Sequence, residues 1–389
     1  MVRTPARCHK VVRLIPVRNI YWMLAYAFRA LEKGAYERLG SEEFGNAQEL
    51  CAAILARGVE SQVKRGLGRG YVPQTEALSY VRGKIDVSAS LKTNSLLKRR
   101  LVCSYDEFST DTPANRIVKA TMQVLLRSRD VSSVYKRGLR RLMPYLAEVG
   151  ECDLHRCDWN VRIGRNNQDY RLLLFVCRLV RDGLLMAEEG VAKAPGFFDD
   201  QAACKLYERF ILEYYRREHP QLSASASQVP WALDDGFTGA LPVMQTDITL
   251  RQGDRVLIID AKYYTHMTQQ SYGVCTLHSG NLYQVFTYVK NMQESLPADA
   301  PPVSGMLMYA RTDEAVLPDG DYLMSGNPIS IRSLDLSQEF EDVRQQLDAV
   351  AEEWFLSRAN RHYSAAGKVR IFLECFRVRQ PSTIQAATI

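Results

Sequence analysis

Asp247, Asp260 and Lys262 lie in the stretch Gln245 to Tyr264, where two apolar, β-branched runs flank the polar turn Gly253-Asp254. That pattern is a hairpin signal. With Gly253 and Asp254 as the whole loop, Asp247 falls opposite Asp260, and directly opposed side chains have Cβ atoms roughly 4.5–5.5 Å apart. Side chains alternate along a strand, so Asp260 and Lys262 share a face while Leu257, Ile259 and Ala261 take the other. Two acids held so close repel each other unless a cation sits between them. A hard divalent ion with oxygen ligands, Mg²⁺ or Mn²⁺, suits the pair. A lysine beside such an ion can orient a water or stabilise an oxyanion, which is chemistry suited to hydrolysing a phosphodiester. The run Val256 to Lys262 is apolar enough to be a buried central strand, and unpaired buried charge is costly.

These residues must be held by the elements around them. The segment Gln201 to Arg217 reads as a helix with Leu206, Tyr207, Phe210, Ile211 and Tyr214 on its apolar face. Glu213 borders that face beside Leu206, whereas Glu208 lies farther around, so Glu213 is the expected third acid. After the hairpin, a loop from about 265 to 280 leads to a helix from Asn281 to Asn291, buried through Leu282, Val285, Phe286, Val289 and Met292. Gln284 and Tyr288, one turn apart on another face, can orient a phosphate or water. Strands follow at Val303–Ala310 and Ile329–Arg332, then a helix from Ser337 to about Leu356. The expected fold class is α/β, a mixed sheet flanked by helices with the acids on central strands.

Upstream, Ile20 to about Lys33 reads as an amphipathic helix capped by Asn19 and stopped by Gly34, and Ala47 to Arg65 as a second. From Gly66 to Ser109 the pattern changes to short strands at Tyr71-Val72, Ala77–Val81, Lys84–Val87 and Leu101–Phe108. Basic residues crowd this section, which suits DNA phosphates, a solvated face or an acidic protein surface. Asp111-Thr-Pro-Ala opens another helix, and further helices are expected over 134–149 and 170–186. The polar stretch 150–169, with its turn-like cluster Gly164-Arg-Asn-Asn167, marks a domain boundary. The expected organisation is an α+β N-terminal region over 1–165, a catalytic domain over 166–356 and a basic extension over 357–389.

The bulk properties narrow the class. The chain has 389 residues and a net charge of +6, compatible with a polyanion partner. Its nine cysteines are scattered and odd in number, which fits a reducing cytoplasm better than a disulfide framework. No apolar run is long enough to cross a membrane, and the basic N-terminus lacks the apolar core of a signal peptide. There is no G-x-x-x-x-G-K-[ST] motif, so nucleotide hydrolysis by a P-loop is not expected of this chain.

An acid on one strand, D-x-K on the next and Q-x-x-x-Y on the following helix resembles the PD-(D/E)XK nucleases. A closer resemblance is to the McrC family, nuclease subunits of McrBC modification-dependent restriction systems. It rests on Ile15–Ala27, Asp106–Ile117, Leu206-Tyr-Glu-Arg-Phe210, Thr246-Asp-Ile-Thr249, Ile259-Asp-Ala-Lys-Tyr-Tyr264 and Asn281-Leu-Tyr-Gln284, in that family's order. The resemblance implies a Mg²⁺-dependent endonuclease acting on double-stranded DNA, behind an N-terminal region that engages an AAA+ GTPase ring of the McrB kind. GTP would then be used only by that partner, whose hydrolysis this chain would stimulate, and methylated cytosine would be read by the partner. By position, the resemblance makes Asp247 and Asp260 metal ligands, with the Ala261 carbonyl a further one. Lys262 becomes the catalytic lysine, and Glu213 and Gln284 supporting residues. Two other readings stand beside this one: a stand-alone repair nuclease of the same superfamily, and a non-cleaving adaptor that activates a GTPase.

Overall fold

The computed structural model describes residues 15–28, 31, 34–161, 163, 168–188, 200–236, 239–263, 268–271, 274–311 and 319–356. The first dozen residues, the cluster at 164–167 and the basic extension over 357–389 lie outside them. In chain order the elements are α1 (Val17–Ala27), α2 (Ala47–Arg65), β1 (Gly70–Leu78), β2 (Lys84–Ile85), α3 (Val87–Lys92), β3 (Leu101–Ser109), α4 (Pro113–Arg127), α5 (Ser133–Leu142) and α6 (Gln168–Glu188). There follow α7 (Asp200–Glu218), β4 (Gln228–Val229), β5 (Met244–Gln245), β6 (Ile248–Gln252), β7 (Arg255–Lys262), β8 (Thr268–Ser271), β9 (Val274–Leu277), α8 (Ser279–Glu294), β10 (Ser304–Ala310), β11 (Gly320–Met324), β12 (Asn327–Leu334) and α9 (Phe340–Ala351).

Two compact units result, one of residues 28–202 and one of residues 1–27 with 203–389. This division differs from the boundary expected near residue 165. The helix α6 stays with the first of these units, where it packs on α2 and α4. The helix α1 joins the second, because its surface is buried almost all round and finds α9 and α7 there. Trp22 stacks on Phe340 at 5.3 Å between ring centroids, and Tyr26 packs against Phe210 and Tyr214. Asn19 does not cap the helix. It sits inside α1, and its side-chain amide donates to the carbonyls of Leu336 and Gln338 at 2.8 and 2.7 Å.

In the 28–202 unit, β1 pairs along its whole length with β3, and β2 pairs on the other side of β3. The two short strands expected at Tyr71-Val72 and Ala77–Val81 are one strand ending at Leu78. Pro73 is tolerated within it because β1 is an edge strand. Helix α4 starts where Thr112 accepts from the Asn115 N–H, with Pro113 in its first turn. The Arg116 guanidinium grips Asp111 through two hydrogen bonds at 2.6 and 2.5 Å, and Asp111 also accepts from the Gly150 N–H. Of the basic residues in this unit's strand region and its approach, Lys64, Arg65 and Arg82 are paired with Glu60, Asp169 and Glu107.

The other unit is built on a five-stranded mixed sheet of order β11-β12-β10-β7-β6. Gly253, with φ of 57°, sits at the first central position of the β6–β7 turn, the place where a two-residue hairpin of this hand needs glycine. Strand β7 is buried from Val256 to Ala261 because it is flanked by β6 and β10 and covered on both faces. The connection from β7 to the parallel β10 passes through α8. Val256, Ile258, Leu307, Tyr309, Ile329 and Ile331 form one face with Val285, Val289 and Met292 of α8. Gly305 permits that packing, since a Cβ there would lie 2.8 Å from both Ile329 and Val289. Leu257, Ile259, Met306 and Met308 alternate onto the opposite face. There the fully buried Tyr207 of α7 reaches the Met308 carbonyl at 3.5 Å. The fold is thus the mixed sheet flanked by helices that the pattern of elements implied, with the edge strand β11 added and the strands β8 and β9 found after β7.

Candidate active site

The hairpin register is the expected one: Gln252 pairs with Arg255 and Ile248 with Ile259, so the next step of the ladder sets Asp247 opposite Asp260. The backbone ladder ends there. Thr246 turns away to pair with Ser227, and the β4–β5 pair carries the chain on from that point. The N–H of Ala261 is then taken by the Asp247 carboxylate at 3.0 Å. One acid sits at a bend held by a backbone donor and the other inside a central strand.

Asp260 is 1% exposed. Neither of its oxygens has a hydrogen bond of good geometry, although the Lys262 ammonium lies 2.8 Å from Oδ2. Lys262 also donates to Gln284 Oε1 at 3.3 Å, and Gln284 Nε2 donates to the Tyr288 hydroxyl at 3.0 Å. A line of contacts therefore runs from Asp260 through Lys262 and Gln284 to Tyr288. Helix α8 is fixed for this by Asn281, whose amide donates to the hydroxyl of the buried Tyr309 at 3.1 Å. Tyr309 is the β10 partner of Lys262.

Burial raises the affinity of both acids for protons. For Asp260 it acts with the charge of Asp247, against the opposing pull of Lys262; for Asp247, Lys262 and the Ala261 N–H oppose it. Two buried carboxylates side by side, one with oxygens short of donors, fit a cation better than they fit each other. Among the described residues, no three His, Cys, Asp or Glu side chains converge closely enough to hold an ion alone. An ion here would take its remaining oxygens from backbone, water or a phosphate, the habit of Mg²⁺.

On α7, Glu208 lies nearer the paired acids than Glu213, the expected third acid. Glu213 pairs with Arg216 at 2.7 Å and belongs to an exposed ion pair on α7. Glu208 instead feels Asp247, Lys262 and Asp260, and burial followed by repulsion from Asp247 pushes its carboxyl up to about 7. The reason is helical phase. The Cys204 thiol lies 3.1 Å from the Tyr263 carbonyl, just beyond Lys262, so the Cys204 side of α7 faces the end of β7 that bears the site. Glu208 is rotated about 40° from Cys204, Glu213 about 180°. The apolar stripe of α7 marks what packs on the middle of the sheet and misdirects the search for its end. A usable signal existed, since Glu208 lies within Leu206-Tyr-Glu-Arg-Phe210.

The profile of the McrBC 5-methylcytosine restriction system component family matches residues 17–310. The type IV methyl-directed restriction enzyme EcoKMcrBC of Escherichia coli strain K12 is 29% identical over 352 residues, covering 88% of this chain and 98% of that protein. A solved structure described as a half-complex from a tetradecameric assembly of Thermococcus gammatolerans McrB AAA+ hexamers with bound McrC aligns at 19% identity and a TM-score of 0.43, covering 86% of this chain and 76% of that one. A chain of the Thermococcus gammatolerans McrBC complex aligns at 23% identity and a TM-score of 0.36, covering 52% of this chain and 59% of that one.

Proposed function

The chain belongs to the McrBC 5-methylcytosine restriction system component family, and on that premise we propose that it is the DNA-cutting subunit of a GTP-driven, methylation-dependent restriction complex of the cytoplasm. The observation that carries this reading is the placement of Asp247, Asp260 and Lys262 on one hairpin beside Gln284. The 28–202 unit, which lacks these residues, is then the part that engages an AAA+ GTPase partner and stimulates its GTP hydrolysis.

Asp247, Asp260 and the Ala261 carbonyl would hold Mg²⁺ or Mn²⁺. When bound, such an ion neutralises the acids and lowers the pKa of a coordinated water. The rest belongs to the chain. Asp260 and Gln284 hold the Lys262 ammonium in place, so that it can meet the charge that builds on a phosphodiester as water attacks and the P–O ester bond breaks. The Ala261 N–H fixes the Asp247 carboxylate at the bend. Glu208, half-buried and readily protonated, is placed to exchange a proton with the site near neutral pH.

The test is cleavage of methylated and unmethylated plasmid with Mg²⁺ by the chain alone, by the chain with its GTPase partner and GTP, and by Asp260→Ala in the same mixture. The proposal expects cutting only with partner, GTP and methylation, and none with the variant. Cutting by the chain alone points to a stand-alone nuclease. Stimulated GTPase with no cutting points to an adaptor.

A further inference from the structure

The helix α5 carries a surface that the hairpin site does not explain. Its ten residues, Ser133 to Leu142, include Lys136, Arg137, Arg140 and Arg141 and no acid. Leu139 and Leu142 are its buried residues, and it packs on α2 and α4 of the 28–202 unit. On its outer side Arg137 and Arg140 are exposed, and so are Val134 at 60% and Tyr145, just past the helix, at 59%, whereas Lys136 turns back to the Ser128 carbonyl. Arg141 pairs with Glu60 at 3.3 Å. Among the described residues no acid pairs with Arg137 or Arg140.

The arrangement opposes the helix that bears it. Lys136–Arg140 and Arg137–Arg141 are like-charge pairs four residues apart, which weaken a helix rather than support it. Arg140 and Arg141 complement the negative C-terminal end of the helix dipole, but Lys136 and Arg137 lie in the half where the dipole disfavours cations. Arg137 and Arg140, three residues and about 4.5 Å apart along the axis, are neighbours on the helix surface and can address phosphate oxygens together. Arginine forks bind such oxygens bidentately, and an exposed tyrosine is the accompanying contact expected for sugar or base.

We infer that the outer face of α5 is a second DNA-contact surface, binding the phosphate backbone of duplex DNA without regard to sequence. It rests on the reading that DNA is the substrate, but it concerns the unit that lacks the hairpin acids. Its role is to hold the duplex, and it takes no part in cutting. A partner protein with an acidic face is the competing occupant. DNA is favoured because Arg137 and Arg140 are exposed, no acid pairs with them among the described residues, and the exposed Tyr145 follows the helix.

The experiment is fluorescence anisotropy of the full chain on a short, unmodified, labelled duplex in EDTA, at a series of salt concentrations. Wild type is compared with Arg137→Glu/Arg140→Glu and with Arg137→Lys/Arg140→Lys, each checked by thermal melting. The double glutamate variant is expected to bind about tenfold or more weakly, with a log–log salt slope smaller by roughly two, since each neutralised phosphate contributes about 0.9. The lysine variant keeps the charge and is expected to retain most of the binding. Unchanged affinity and slope in a folded glutamate variant would overturn the inference. So would unchanged DNA binding with loss of the GTPase partner, which assigns the face to protein, or failure of wild type to bind duplex. Binding through α5 by a chain that cuts nothing under any condition would sink the nuclease reading and leave this one standing.

Discussion

The Asp247 carboxylate accepts the backbone N–H of Ala261 at 3.0 Å, using the peptide that joins the second acid to the residue before the lysine. This contact sets the distance between the acids by backbone, so either acid can lose its charge without losing its place. Asp247→Asn and Asp260→Asn are therefore expected to fold. Both acids bind protons more tightly than free carboxylates because they are buried together, so neutralising one relieves repulsion. In EDTA at pH 8, Asp260→Asn should melt no lower than wild type, while cleavage falls at least a hundredfold, the order expected for loss of an electrostatic catalytic group. A variant that melts far below wild type would show Asp260 to be structural.

Glu208 gives the site a pH signature. Burial first, then Asp247, raises the Glu208 carboxyl from 4.5 to about 7. The folded chain then keeps a proton that the unfolded chain releases, so the stability tied to this group is full below about pH 4.5 and drains away as pH rises through about 7. Glu208→Gln should flatten that decline in a melting series from pH 5 to 8 in EDTA and should also lower cleavage. Glu213→Gln should leave cleavage at the wild-type level, because Glu213 pairs with Arg216 and lies about 180° around α7 from Cys204. Identical pH profiles for wild type and Glu208→Gln would remove Glu208 from the site.

The contrast between these two glutamates shows where sequence reading reaches and where it stops. The hairpin was legible because a two-residue turn has one register, and that register places Asp247 against Asp260 from sequence alone. The helices α2 and α8 and the strand β10 were legible because their apolar periods match burial. The edge strand β11 was not, since its exposed residues carry no alternation to read. The nearness of Glu208 to Asp247 was not legible because periodicity reports the stripe that packs, whereas Asp260 and Lys262 lie at the end of β7. The place of α1 was not legible for a related reason: it is buried almost all round, and only tertiary contacts decide which core receives it.

Lys262 depends on its neighbours for direction. Its ammonium is held between Asp260 Oδ2 at 2.8 Å and Gln284 Oε1 at 3.3 Å, and Gln284 is oriented by Tyr288. A graded series follows. Lys262→Ala should cost about a hundredfold or more in cleavage, as for removal of an oxyanion donor. Gln284→Ala should cost on the order of tenfold, because the lysine keeps one anchor, and Tyr288→Phe less again. Magnesium binding followed by calorimetry should survive in Gln284→Ala and Tyr288→Phe. If Tyr288→Phe cost as much as Lys262→Ala, the hydroxyl would be acting on substrate directly.

Asn19 gives the sharpest test of how the chain is divided. It is 2% exposed, and its amide supplies hydrogen bonds to the carbonyls of Leu336 and Gln338, just before α9. Asn19→Ala leaves both carbonyls without that donor, and stranding buried polar groups costs about 1–3 kcal/mol each. The loss falls on α1 and α9, which pack in the same unit as the hairpin site. Cleavage by Asn19→Ala should therefore fail at a lower temperature than in wild type, while stimulation of the partner's GTPase, proposed for residues 28–202, persists to the wild-type temperature. Parallel loss of both activities on heating would place α1 with the partner-engaging region instead.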